Sequence, residues 1–307
     1  MTPIDATVVI PSRNRQLHLQ RCLTALSAQR IPHGAFEVVV VDDESEPPLD
    51  LNPKRWAGSF SLTVVRQRRT GPAGARQRGV AEARGRVIAF TDDDCLPAPS
   101  WLSALTASLT EHPDALIGGS TFNGLEDDLW AQASQLTLEL VYAFFNRAPG
   151  QPTFFASNNI ACQRHRYLES GGFDTRFPYA AAEDREFCDR WKMQGRPLLW
   201  DPRAVVEHQH AQSLREFVRL HFRYGQGAAV YHSIRHARHS GSIANDIGFH
   251  FGLPSAAWTL VSRYGPRVRL ALLMRLALGQ AANAAGFAHA HASRWLSRQR
   301  TPVAPIS

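Results

Sequence analysis

The sequence predicts an α/β fold, with a mostly parallel sheet flanked by helices and a helical extension at the C-terminal end. Three observations predict it. Short continuous β-branched runs recur between segments with helical spacing, the pattern of strands buried on both faces of a parallel sheet. Polar residues cluster just past the ends of those runs, the edge at which open α/β sheets bind ligands. Charge and composition change after about residue 212.

The elements follow in order. Thr7-Val8-Val9-Ile10 is a short apolar run ended by Pro11, a buried strand. Leu17, Cys22, Leu23 and Leu26 then repeat at helical spacing. Phe36 to Val41 reads as a second strand, ended by Asp42-Asp43, and Leu62 to Val65 as a third. Gly71-Pro72-Ala73-Gly74 opens an Ala-rich helix through Ala83, and Val87 to Phe90 is a fourth strand ended by Asp92-Asp93-Asp94. From Ser213, the residues Leu214, Phe217, Val218, His221 and Phe222 mark a helix, after which Gly225, Gly227, Gly241, Gly248, Gly252 and Pro254 are expected to interrupt. Leu270 to Leu278 is apolar apart from Arg275, and Ala-rich sequence continues to Ala292. Residues 213–296 read as helices, with fraying expected from Arg298. The expected organisation is therefore residues 1–212, in halves 1–97 and 98–212, and a basic helical region 213–307.

Composition narrows the function classes. Hydrophobic residues make up 44% of 307 residues, which suits a folded chain rather than a disordered one. Cys22, Cys95, Cys162 and Cys188 form no CxxC pair, which argues against a zinc ribbon or a disulfide framework and fits a reducing compartment. Met1 to Ala6 carries no basic segment leading into an apolar run, so no secretory signal is read there. No uninterrupted stretch of about 18 apolar residues suggests a spanning helix. From Arg203 onward, 13 Arg face three acidic residues, a local +10 within a total of +7, which leaves −3 for residues 1–202. Such a tail suits nucleic acid, anionic lipid or an acidic partner, or reflects a compositional bias toward Arg.

Four motifs carry chemistry. In Phe90-Thr91-Asp92-Asp93-Asp94-Cys95, three adjacent carboxylates repel one another unless solvated or neutralised by a cation. Mg²⁺ or Mn²⁺ takes such oxygen ligands and bridges them to phosphates, so the trio reads as a metal site or as a solvated turn. Gly71 to Gly79 combines small residues, a helix N-terminus and Arg76 and Arg78, which suits a diphosphate or an ordinary Gly-capped loop. In Glu183-Asp184-Arg185-Glu186-Phe187-Cys188-Asp189-Arg190-Trp191, Phe187 and Trp191 supply a core face. The acids at that helix start complement its dipole, and one of them suits a general base. Val205-Val206-Glu207-His208-Gln209-His210 ends a strand-like run in two His, structural or metal-ligating.

Val8 to Arg15, Val40 to Ser45, Gly71 to Gly79, Thr91 to Pro97, Gly171-Gly172-Phe173-Asp174 and Glu183 to Phe187 occur in this order. Over about residues 5–210, together they resemble glycosyltransferase family 2, the inverting nucleotide-sugar enzymes of the GT-A, Rossmann-like fold. The resemblance implies that Pro11, Arg13 and Asp43 line a nucleotide pocket, with Gly71, Arg76, Asp92, Asp93, Asn158 and Asn159 also on the nucleotide-sugar. It implies a Mn²⁺ or Mg²⁺ ion on Asp94, Asp92 and His208, and Asp184, with Glu183, as the catalytic group. Gln77 stands where the family often has Asn.

These implications converge on sugar transfer from a nucleotide-diphosphate donor, with uridine as the family-level expectation, to a glycan, lipid-linked or other hydroxyl acceptor in cell-envelope or polysaccharide biosynthesis. Acceptor selection is expected within Leu125 to Gln151. The expected location is cytoplasmic, with peripheral contact between Leu270–Leu278, flanked by Arg263, Arg267, Arg269 and Arg275, and an anionic inner membrane face. No nucleic acid is expected as a partner. The competing reading is a nucleic-acid- or membrane-binding protein that uses the Arg-rich tail and carries a catalytically silent GT-A domain.

Overall fold

The computed structural model describes residues 4–31, 36–148, 150–177, 179–241 and 243–299. The chain divides into two compact units, Met1–Pro178 with Glu183–Ala211, and Tyr179–Ala182 with Gln212–Ser307.

The first unit is built on strands β1 (Ala6–Ser12), β2 (Phe36–Asp43), β3 (Ser61–Gln67), β4 (Val87–Thr91), β5 (Cys95–Pro97), β6 (Leu116–Asn123), β7 (Asn159–Gln163) and β8 (Leu198–His208). They form one sheet in the order β3-β2-β1-β4-β7-β6-β8-β5. The β1–β2, β1–β4, β2–β3 and β6–β8 pairs are parallel, whereas β4–β7, β6–β7 and β5–β8 are antiparallel, so the sheet is mixed. The parallel half coincides with the β-branched runs, because strands covered on both faces bury every side chain. Every residue of β2 and of β4 is buried. Pro11 pairs with Val41 on one side and lies past the last β1–β4 pair, Val9 with Phe90, so its missing N–H falls where that ladder has ended.

Helices α1 (Gln16–Ser27), α2 (Gly71–Glu82), α3 (Trp101–Glu111), α4 (Leu129–Phe145), α5 (Arg164–Ser170) and α6 (Glu183–Met193) flank the sheet. Leu19, Cys22, Leu23 and Leu26 are the buried face of α1 and pack into one core layer with Ala6, Val8 and Ile10. Phe187 and Trp191 of α6 are fully buried in a second layer with Phe90, Phe155, Tyr167 and Phe173. The expected acceptor stretch contains α4, whose first turn is capped by Asp128 accepting from Trp130 and Ala131 N–H.

The second unit holds α7 (Leu214–Ala237), α8 (Ala244–Val261) and α9 (Pro266–Gln299). A capping box starts α7: Glu216 N–H donates to Ser213 Oγ and Ser213 N–H donates to Glu216 Oε2. The expected glycine interruptions do not occur within the helices: α7 runs through Gly225 and Gly227, and α8 through Gly248, Gly252 and Pro254. For α7 the reason is tertiary. A Cβ at Gly225 would overlap the Asn283 carbonyl oxygen, and one at Gly286 would overlap that of Phe222, so these glycines let the α7 and α9 backbones touch. The fraying expected after Arg298 falls largely on residues 300–307, outside the described residues.

Helix α9 also qualifies the reading against a spanning helix. Its stretch Pro266–Ser293, 28 residues whose most apolar window has a mean hydropathy of 1.2, is long and apolar enough to cross a membrane by length and composition. Arg275 and polar residues such as Gln280 and Asn283 break its apolar runs, and an average over the stretch tolerates them.

His221 of α7 is 1% exposed, and neither ring nitrogen makes a hydrogen bond among the described residues. Burial therefore lowers its pKa from 6.5 to about 4. Below pH 6.5 the unfolded chain takes up a proton that the folded chain refuses, so the unfolded state gains as pH falls. Stability present above pH 6.5 is expected to drop between there and about pH 4, by up to ~3 kcal/mol. Urea unfolding of His221→Phe should lack that part of the pH slope. Gly225→Leu is expected to cost at least ~1–3 kcal/mol by forcing α7 from α9, measured as a fall in Tm.

Candidate active site at the sheet edge

The three carboxylates after β4 have different sets of partners, with Arg15 shared by two of them. Asp92 Oδ1 accepts from Arg76 Nη2 at 2.6 Å. Asp93 accepts from Ser12 Oγ at 2.7 Å and from Arg15 Nη1 at 3.3 Å. Asp94 accepts from the same Arg15 nitrogen at 2.5 Å, and its two oxygens lie 3.2 Å from His208 Nε2 and 2.9 Å from His210 Nδ1. Strand pairing produces the last contacts: β5 runs antiparallel to β8 with Cys95 opposite His208, and Gln209 N–H donates to the Asp94 carbonyl.

Charge separates the trio electrostatically. Burial and the neighbouring Asp94 push Asp93 up to about 7, against the pull of Arg15 and Ser12. Burial acts on Asp94 in the same direction, yet the positive field and hydrogen bond of His208, the His210 hydrogen bond and Arg15 hold it well below the usual carboxylate range. Burial works to lower His208, but Asp94 raises it overall.

Arg76 sits on α2 at 2% exposure, and its guanidinium reaches Asp92 with one nitrogen and Glu183 Oε1, at 3.1 Å, with another. It is therefore a buried bridge between the acidic trio and the start of α6, not the exposed diphosphate fork expected of the Gly71 loop. Arg78 turns outward to Glu82. Glu183 is 3% exposed and lies in that bridge, while Asp184 is half-buried. Burial raises Asp184, partly offset by N–H donors from Arg185 and Ser157 and by Arg76. Ala182, just before them, has φ +66°, a conformation that costs a non-Gly residue free energy.

The remaining expected residues divide. Asp43, at the end of β2, is 5% exposed, with Oδ1 accepting from Gln67 and Thr70 and Oδ2 from Gly71 N–H. Both oxygens thus brace the loop into α2, and the Gly71 N–H, at φ +82°, is spent on Asp43 rather than offered to a phosphate. Pro11 is half-buried and Arg13 exposed at the end of β1. Asn159 is fully engaged in the core: its Oδ1 accepts from Trp101 Nε1, and its Nδ2 donates to the Ser120 and Ala204 carbonyls. Asn158 differs, because its buried Oδ1 accepts no hydrogen bond among the described residues. Gln77 donates to the Gly171 and Phe173 carbonyls, tying α2 to that Gly-Gly turn.

Sequence reasoning missed Arg15, Ser12 and His210 as partners of the carboxylates. The signal was present, since Arg15 closes the Pro11–Arg15 segment and His210 follows His208 at the strand's two-residue period.

One ligand atom each from Asp94, Cys95 and His208 lies within 4.8 Å of the others. Burial pushes the Cys95 thiol well up, which favours its neutral form, so Asp94 and His208 are the natural donors. A carboxylate oxygen beside an imidazole nitrogen fits a divalent cation, and suits Mn²⁺ better than Mg²⁺, which prefers all-oxygen sets. Asp92, also expected as a ligand, has one oxygen committed to Arg76.

Removing Arg76 would leave Glu183 buried without that partner. Arg76→Ala is expected to lose ~3–5 kcal/mol in denaturant unfolding, and an unchanged midpoint would dismiss the bridge.

Residues 7–172 match the profile described as Glycosyl transferase family 2. A pre-mycofactocin glycosyltransferase of Mycobacterium tuberculosis is 30% identical over 239 residues, covering 76% of this chain and 48% of that protein. The glycosyltransferase AglE of Haloferax volcanii is 30% identical over 116 residues, covering 37% of this chain and 38% of its own. The chain thus spans about half or less of the length of these relatives. Among solved structures, the mannosyltransferase PcManGT of Pyrobaculum calidifontis, in complex with GDP-Man and Mn²⁺, has a TM-score of 0.63 at 21% identity, over 96% of this chain and 88% of that one. S. aureus TarS 1-349 in complex with UDP has a TM-score of 0.53 at 17% identity, over 95% and 92%. These likenesses identify the shared fold as GT-A.

Proposed function

Because the chain belongs to glycosyl transferase family 2, whose profile matches more than half of it, we propose that it is an inverting glycosyltransferase that moves a sugar from a nucleotide-diphosphate donor to a hydroxyl acceptor. The observation that carries this reading is the Arg76 bridge, which ties Asp92 of the acidic trio to Glu183, the neighbour of Asp184, within one side chain's reach. A uridine donor, and an acceptor that is a glycan or lipid-linked hydroxyl of the cell envelope, are the finer parts of the proposal. GDP-Man and UDP bound to the structural neighbours favour a nucleotide donor without choosing the base.

In this mechanism Asp184 takes the proton of the acceptor hydroxyl. The freed oxygen bonds to the anomeric carbon as the bond from that carbon to the diphosphate breaks on the opposite face, which inverts the configuration. The raised pKa of Asp184 suits a base that must hold a proton after transfer. Arg76 positions Asp92 and Glu183 rather than touching the diphosphate. Asp94 and His208 would hold a divalent cation, which when bound supplies Lewis-acid stabilisation of the diphosphate's charge, worth several kcal/mol. The Asn158 amide, with its open acceptor, suits a donor-sugar hydroxyl. The exposed Leu270 and Met274 among Arg263, Arg267, Arg269 and Arg275 suit contact with an anionic membrane face, the peripheral part of the proposal.

Asp184→Asn is expected to lower transfer by ~10²–10⁴-fold while heat stabilisation by the preferred nucleotide-sugar with Mn²⁺ persists. The donor comes from screening a panel of nucleotide-sugars by thermal shift. Wild-type turnover by the variant would remove Asp184 from the mechanism. The wild-type rate should also rise with pH through a step above the ordinary carboxylate range, since only the ionised group accepts the proton.

A further inference from the structure

Independently of sugar transfer, the second unit contains a cavity of about 790 Å³ between α7, α8 and α9. Its size falls in the range of small-molecule sites, and most of its wall is apolar. Water held against such a wall is unfavourable, so the cavity favours an apolar occupant.

Polar groups line only one end of the cavity. Residues 262–265 join α8 to α9, and so short a connection makes the two helices an antiparallel hairpin. Toward that turn the wall is formed by Leu253 and Ala257 of α8 and Leu273 and Leu276 of α9. Away from it Asp246 and His250 of α8, Gln280 and Asn283 of α9, and His232 of α7 stand among Ile243, Ile247 and Phe287. The polar lining groups thus gather in one half. At their centre His232 Nε2 lies 2.8 Å from Asp246 Oδ2, each side chain only 11% exposed.

We propose that this cavity binds a neutral single-chain amphiphile, with its alkyl chain toward the α8–α9 turn and a hydroxyl or amide head beside the His232–Asp246 pair. The alkyl chain follows from the wholly apolar end near the turn, and the head chemistry from the polar groups, which occur only at the other end. Gln280 and Asn283 each present both a donor and an acceptor, which match a hydroxyl. A phosphate or carboxylate head would meet the Asp246 carboxylate at low dielectric, where like charges repel strongly, while His232 is already engaged.

The test is calorimetric titration of the full chain with 1-decanol, 1-octanol and decyl phosphate. One saturable site for 1-decanol is expected, with 1-octanol about tenfold weaker for two fewer buried methylenes. Decyl phosphate should bind at least tenfold more weakly than 1-decanol, and Asp246→Asn should narrow that gap. Ala277 lines the cavity but is exposed, so Ala277→Trp fills the space without disturbing a packed core. That variant should weaken 1-decanol at least tenfold at an unchanged Tm. No saturable 1-decanol site, decyl phosphate binding as tightly as the alcohol, or indifference to Ala277→Trp would each overturn the proposal.

Discussion

Negative charge gathered at one edge of the sheet is the constraint around which the first unit is arranged. Asp93, Asp94 and Glu183 are all nearly or fully buried, and a buried carboxylate is costly unless paired. Arg15, Arg76, His208 and His210 provide the pairing, and they reach the acids from three separate parts of the chain: the end of β1, α2 and the end of β8. Arg76 reaches 107 residues along the sequence to Glu183, and so joins the β4 edge to the start of α6. The same bridge that satisfies two acids also sets where Asp184 stands.

The backbone near this edge is held in conformations that most residues avoid. Asn14, Glu44 and Ala182 have φ values of +57°, +67° and +66°. The first two lie in the loops after β1 and β2, and those loops latch one another. Asn14 N–H donates to Ser45 Oγ, and Glu46 N–H donates to Asn14 Oδ1. Asp42 accepts from Ser45 N–H and Asp43 braces the entry to α2, so the acidic pair after β2 stiffens its surroundings. Strain held by such over-determined contacts is typical of functional edges, where pre-organisation replaces ordering on binding.

The second unit shows the opposite use of space. Gly225 and Gly286 bring α7 and α9 into backbone contact, whereas the α8 side leaves a large cavity containing one buried polar pair. Exposed Phe251 and Trp258 on α8, with Leu270 and Met274 on α9, give this unit an apolar surface that its Arg residues punctuate.

The sequence by itself determined the parallel half of the sheet, because runs such as Phe36–Val41 suit only a strand buried on both faces. It also determined where chemistry gathers, because acids repeatedly follow those strands. The antiparallel half was less legible: Gly118 and Gly119 break the short apolar start of β6, β7 is five residues long, and neither shows alternation. Only the tertiary structure assigned individual partners. It committed Asn159 to the core while leaving the Asn158 oxygen open, turned Arg76 inward, and brought Arg15 and His210 onto Asp94. Residue type and spacing record which chemistry a segment offers. The direction of a side chain and its neighbour across the sheet depend on strand register and long-range ion pairing, which link positions up to 116 residues apart.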